Sequence, residues 1–185
     1  MIDEIIADAE ERMQKSVASQ EEAFKKIRTG RAHPSILDSV MVSYYGTDTP
    51  LSQLANVNVE EGRSLLISPW EKQLIGEIEK AILKSDLGLN PSNNGDTIRV
   101  PMPPLTEETR REYTKQAKQE AENARVAIRN IRRDANSRFK DFEKERDISE
   151  DQQHRAEEQV QKLTNKHIAA VESAYQVKEQ DLLSF

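Results

Sequence analysis

Arg125, Arg129, Arg132, Arg133, Arg138 and Lys140 stand in a stretch that holds one acid, Asp134. Five of these six cations are arginine. The guanidinium is a planar fork whose paired N–H donors match two phosphate oxygens, which an ammonium cannot do. The chemistry this pattern offers is recognition of a phosphate backbone. A charge run more often marks a solvated helix face, but such a face normally alternates cations with acids, and here the acids are missing. Arg111, Lys115 and Lys118 extend the stripe towards the N-terminus. Residues 105–140 carry ten basic and six acidic residues, a net +4, in a chain of net charge −6. The basic face is therefore local, and the acidic remainder argues against indiscriminate binding to nucleic acid.

No catalytic constellation accompanies it. There is no glycine-rich phosphate loop and no strained nucleophile turn. His33, His154 and His167 are scattered, and the chain has no Cys. His167 falls on an apolar stripe and reads as a packed core residue. No paired carboxylates stand out from the many solvated ones. The expectation is a protein that is not an enzyme and needs no metal and no cofactor.

The cations are positioned by a long amphipathic helix. Tyr113, Ala117, Ala121, Ala124, Ile128, Ile131, Ala135, Phe139 and Phe142 recur at steps of three or four. Thr106 offers an N-cap, followed by Glu107 and Glu108 in the first turn. The helix is expected to reach about Arg146. A first helix is expected over 2–28, on Ile2, Ile6, Ala9, Met13, Val17, Gln20, Phe24 and Ile27, with Gly30 as its stop and Pro34 preventing continuation. Arg28 and Arg31 at its end read equally well as dipole compensation or as ligand contacts. Ser149-Glu150-Asp151-Gln152 is a capping box for a third helix carrying Ala156, Val160, Leu163, His167, Ala170, Ala174 and Val177.

Between the first and second helices the composition changes. Residues 31–104 hold all seven prolines and six basic against nine acidic residues. Val40, Val42 and Tyr44 alternate before a turn at Tyr45-Gly46. Glu61-Gly62-Arg63 joins two strand-like runs in a hairpin. Residues 71–85 make a short amphipathic helix, and Thr97 to Val100 a strand after Asn93-Asn94-Gly95. Trp70 is expected to cap this unit's core. The fold class is α+β, mainly α: a discontinuous three-helix bundle from 1–29 and 106–185, with a small α+β domain at 31–104 inserted between helices 1 and 2. Thr29, Gly30 and Arg31 on one side, and Pro101, Pro103, Pro104 and Leu105 on the other, form two connections, a candidate hinge at 29–31 and 101–105.

Charged residues make up 32% of the chain and hydrophobic ones 36%, as suits long helices with narrow buried stripes. The opening Met1-Ile2-Asp3-Glu4 does not resemble a signal peptide. A cytoplasmic protein with no membrane partner is expected.

Several motifs together resemble one family. Residues 26–35, Lys-Ile-Arg-Thr-Gly-Arg-Ala-His-Pro-Ser, resemble the first junction of bacterial ribosome recycling factors. Residues 85–91 are similar to their inserted domain, residues 98–108 to their second junction, and residues 125–136 to their basic helix. The motifs stand in the family's order and span essentially the whole chain. Thr109 departs from the pattern, in which a basic residue commonly follows the two Glu residues. The resemblance implies an L-shaped, monomeric protein. It implies binding to the post-termination ribosome and, with elongation factor G and GTP, separation of the subunits so that messenger and transfer RNA leave. By the same carry-over Arg129 and Arg132 contact ribosomal RNA of the large subunit, with Arg125 and Arg133 as further candidates, and the partner hydrolyses GTP. The alternative reading is a helical adaptor that binds partner helices, its basic stripe serving solubility alone.

Overall fold

The computed structural model describes residues 1–184 and divides the chain into two compact units. One comprises Met1–Arg28 and Glu108–Leu183, the other Thr29–Glu107.

The helical unit contains α1 (Ile2–Lys25), most of α3 (Glu107–Lys144) and α4 (Glu150–Ser184). At 1.5 Å per residue, the 38 residues of α3 span about 57 Å. Cross-links between the helices give their directions. Glu10 meets His167, Gln20 meets Val171 and Ile27 meets Lys178, so α1 and α4 run parallel. Arg125 meets Glu172 and Arg132 meets Gln161, so α3 runs against α4. The result is an up-down-up bundle. Its core is Ile5, Ala9, Met13 and Phe24 from α1, the α3 stripe from Ala117 to Phe139, and Ala156, Val160, Val171 and Leu182 from α4. The alanines on α3 bring neighbouring helices close, while Phe139, Met13 and Ile128 fill the remaining space.

Polar residues break into this core at defined places. Gln20 donates from Nε2 to the Val171 carbonyl oxygen at 3.2 Å. Thr164 Oγ1 donates to the Val160 carbonyl oxygen one turn back, at 2.8 Å, and so can be buried. This shifts the buried face of α4 from the one expected. Leu163 and Ala170 lie at its margin and Val177 is exposed, while Thr164 and Val171 are inside. An apolar count cannot foresee that a satisfied threonine takes a core position.

Helix ends follow local chemistry. Ser149 and Gln152 form the reciprocal capping box: the Gln152 N–H donates to Ser149 Oγ at 3.1 Å, and the Ser149 N–H to Gln152 Oε1 at 2.8 Å. α3 closes with Arg146 in the left-handed region (φ 62°), its N–H bonded to the Glu143 carbonyl and that of Asp147 to Phe142. The expected stop at Gly30 is corrected. α1 ends at Lys25, where Lys26 and Ile27 bond back three residues to Ala23 and Phe24 in a tighter turn. Gly30 is buried and is absent from the glycines with positive φ.

The second unit holds two antiparallel sheets, three short 3₁₀ turns and one α-helix, α2 (Ile75–Lys84). β1 (Met41–Tyr44) pairs with β2 (Thr47–Pro50) through Tyr45 and Gly46, both left-handed, the conformation a two-residue hairpin loop requires. β3 (Ala55–Glu60), β4 (Ser64–Pro69), β6 (Ile98–Pro101) and β5 (Ser92–Asn93) form the larger sheet in the order β3-β4-β6-β5. Leu65 and Ile67, and Ile98 and Val100, alternate inward and pack with Val42, Ile78 and Ile82 in one core. Trp70 does not cap that core as expected. It follows the end of β4 and is 62% exposed, because Leu54 and Leu74, buried residues lining the pocket beside it, already close that side.

Both connecting segments are tied to one turn of this unit. The Ala32 N–H donates to the Gly62 carbonyl and the Met102 N–H to the Arg63 carbonyl, each at 2.8 Å.

Candidate nucleic-acid interface

The buried stripe of α3 fixes where its cations point. Ile128, Ile131 and Ala135 face the core, so Arg125, Arg129 and Arg132 flank it and are half-buried, while Arg133 and Lys140 are exposed. Their long stems lie along the bundle and their charged heads reach its surface.

The cations are held in unequal ways. Arg125 Nε bonds Glu122 Oε2 at 3.0 Å and its Nη1 bonds Glu172 of α4. Its side chain is only 20% exposed. Burial lowers the guanidinium pKa, but Glu122 and Glu172 outweigh it and the net shift is upward. Arg125 is thus neutralised by two carboxylates, one of them on α4, where the sequence of α3 could not reveal it. Arg132 makes one long contact, Nη1 to Gln161 Oε1 at 3.4 Å. Arg133 reaches back to Asn130 Oδ1 at 3.3 Å. Among the described residues, no hydrogen bond or ion pair engages the Arg129 side chain.

The single acid of the stretch is turned elsewhere. Asp134 accepts from Arg12 of α1 at 3.3 Å, and Arg12 also lies 3.8 Å from Asp8. Among the described residues, Asp134 therefore forms no ion pair with the neighbouring cations. Arg132, Arg133 and Lys140 line a groove of about 550 Å³ between α3 and α4, together with Asn136, Ser137, Glu157 and Gln161. Asn136 Oδ1 is buried there with no hydrogen-bond partner. Asn136 and Ser137 were legible as the polar residues one turn beyond Arg132 and Arg133, though the charge pattern alone does not single them out. Gln161 and Glu157 carry no such signal, because only the pairing of α3 with α4 brings them in.

Arg28 and Arg31 are both exposed, but Arg28 lies in the helical unit and Arg31 in the second one. Of the hinge candidates, Thr29 Oγ1 accepts from the Arg31 N–H at 3.2 Å, and Pro101 ends β6.

Two of the three histidines, His33 and His167, are occupied structurally. His33 Nδ1 accepts from the Ser35 N–H at 3.1 Å, capping a short 3₁₀ turn. His167 is buried and its Nε2 lies 3.3 Å from Glu10 Oε2. Among the described residues no three His, Asp or Glu side chains gather as a metal site. No described helix is long and apolar enough to cross a membrane. What the interface can do is bind a row of phosphates through forked donors and a free cation.

Comparison with known proteins agrees in sequence and in fold. Residues 20–183 match the family model described as ribosome recycling factor. A ribosome-recycling factor of Marinomonas sp. (strain MWYL1) is 66% identical over 183 residues, covering 99% of each chain. That of Alcanivorax borkumensis is 58% identical over 184 residues, covering 100% of both. Among solved structures, a solution structure of the ribosome recycling factor superposes with a TM-score of 0.74 at 38% identity, covering 100% of this chain and 98% of that one. A second structure is described as models for the T. thermophilus ribosome recycling factor and the E. coli elongation factor G bound to the E. coli post-termination complex. It has a TM-score of 0.66 at 44% identity, with 99% of each chain covered.

Proposed function

This chain belongs to the ribosome recycling factor family, and on that premise we propose that it binds the post-termination ribosome and, with elongation factor G and GTP, promotes separation of the subunits and release of messenger and transfer RNA. The observation that carries the reading is the disposition of Asp134. The one acid in the basic stretch pairs with Arg12 on α1, and among the described residues no ion pair engages Arg129, Arg132, Arg133 or Lys140, which supports their meeting an external phosphate. Arg129, Arg132 and Arg133 are the residues assigned to ribosomal RNA of the large subunit. Arg125 is assigned a supporting role, because Glu122 and Glu172 already satisfy it. Arg28 and Arg31 are candidate further contacts.

The α+β unit, joined to the bundle through two segments, is the part we assign to elongation factor G. Thr29, Gly30, Arg31, Pro101, Pro103, Pro104 and Leu105 are the proposed hinge. Ala32 and Met102 anchor both segments to one turn, so a force on the unit would reach both connections together. GTP hydrolysis is assigned to elongation factor G. It acts as a cytoplasmic monomer.

The test is splitting of purified post-termination ribosomes, followed by light scattering, with the chain, elongation factor G and GTP added singly and together. Splitting that needs all three is expected. Splitting without this chain, or none with all three, overturns the reading.

A further inference from the structure

The exposed tryptophan of the second unit has a neighbourhood that the basic stripe does not explain. Trp70 is the only tryptophan in the chain, and its N–H to the Leu54 carbonyl, at 3.2 Å, fixes the backbone that carries it. With Tyr44, Leu54, Glu71 and Leu74 it lines a pocket of about 260 Å³. Tyr44 stands edge-on to Tyr45, with ring centroids 4.6 Å apart, and Tyr45 is 75% exposed. Glu71 Oε1 accepts from the Tyr44 hydroxyl at 3.4 Å. Glu71 Oε2 is shielded from solvent and has no partner at all.

A shielded carboxylate oxygen without a donor is costly to leave unmade, and an aromatic face beside it attracts a cation. Burial first, then the charge of Glu71, raises the Tyr44 phenol above its usual range, as a negative site would. We propose that the Trp70–Tyr44–Glu71 pocket is a docking site for an arginine side chain presented by a protein partner. Arginine fits better than lysine, because its plane can stack on the indole while its charge sits beside the Glu71 carboxylate. Charge complementarity points the same way: residues 31–104 carry six basic and nine acidic residues, and Glu71 would repel a phosphate. The site is separate from the α3 stripe and its recognition chemistry is of opposite sign.

The single indole makes the site directly observable. The full chain, with nitrogen-15 at the indole, would be titrated with N-acetyl-arginine methylamide while the Trp70 resonance and fluorescence are recorded. The citrulline and lysine analogues and a short oligothymidine would be run in parallel. A saturable shift with arginine, weaker with lysine and absent with citrulline, is expected. Glu71→Gln should weaken arginine binding at least about tenfold, since a charge-assisted bond is lost. Circular dichroism and the dispersion of the amide spectrum report that the variant is folded. Equal responses to arginine and citrulline, undiminished binding in folded Glu71→Gln, or no saturable shift would each overturn the proposal. A shift with oligothymidine alone would assign the aromatics to base stacking. A shift with protein concentration alone would assign them to a second copy. Either result would also overturn it.

Discussion

Lys178 of α4 donates from Nζ to the Ile27 carbonyl oxygen at 2.6 Å. Ile27 is two residues past the end of α1 and just before the chain leaves the helical unit. The contact satisfies a carbonyl that the finished helix leaves without an internal partner. It also holds the departing segment against α4. Burial lowers the Lys178 pKa, with Asp181 opposing the shift, so the amine is retained there at some electrostatic cost. Lys178→Met keeps the stem but removes the donor. Stability of the helical unit should fall by about 1–3 kcal/mol, measured by urea unfolding, because the carbonyl loses a charged partner. An unchanged midpoint would show that water replaces the amine fully.

Arg132→Ala should weaken ribosome binding by about 1–3 kcal/mol with the fold retained, since the side chain fills no core space. Fewer counterions would be released, so the salt dependence should become shallower. Arg132→Lys should restore part of the charge and little of the forked geometry. Ribosome pelleting over a salt series measures all three proteins. Equal affinity and slope in folded Arg132→Ala would return the stripe to a solvated face.

Arg125→Ala should behave in the opposite way. It removes a side chain that is only 20% exposed and unlinks α3 from α4, while Glu122 and Glu172 remain solvated, so thermal stability should drop by about 1 kcal/mol. Ribosome affinity at a temperature where the variant is folded should change little. A loss of affinity as large as that of Arg132→Ala would place Arg125 in direct contact with RNA.

Acid should weaken the helical unit through Glu10. Burial would raise its carboxyl pKa, but the charge of His167, whose Nε2 lies 3.3 Å away, with Lys166 and the hydrogen bond from Gln14, brings the net value below 4.5. A carboxyl depressed in the folded state stabilises fully above its unfolded value and loses that contribution as pH falls through the folded one. The loss therefore begins below about pH 4.5. Glu10→Gln should flatten this acid limb in pH-dependent unfolding. An identical limb in the variant would assign the acid sensitivity to other carboxylates.

Residues 29–107 should be removable. The apolar stripes of α1, α3 and α4 cover one another, so a short Gly/Ser linker in place of the insert should leave a cooperatively unfolding helical protein. Calorimetry and far-ultraviolet circular dichroism would record this. A non-cooperative product would show that the bundle depends on the insert.

Much of this molecule is written in local pattern. The period of Ala117, Ala121, Ala124, Ile128 and Ile131 defines α3, because a helix with a core on one side needs just such a stripe. Ser149 and Gln152 announce the start of α4, since their reciprocal bonds lie within three residues. Tyr45-Gly46 and Glu61-Gly62 mark hairpins, because left-handed backbone is a local demand. The basic stripe is legible for the same reason: residues three and four apart share a helix face whatever surrounds the helix. What the sequence left open depends on residues distant in the chain. Arg125 and Arg132 look equivalent along α3, yet Glu172 neutralises one and Gln161 barely holds the other. Asp134 looks like a compensating acid until Arg12 takes it. Thr164 enters the core in place of Leu163 because its hydroxyl finds Val160, and Trp70 stays outside because Leu54 and Leu74 already close the core beneath it. Pattern sets which face of an element is buried or charged. Which cation remains available on that face is decided by the partner helix, since charge is cancelled by whatever lies within a few ångströms in space.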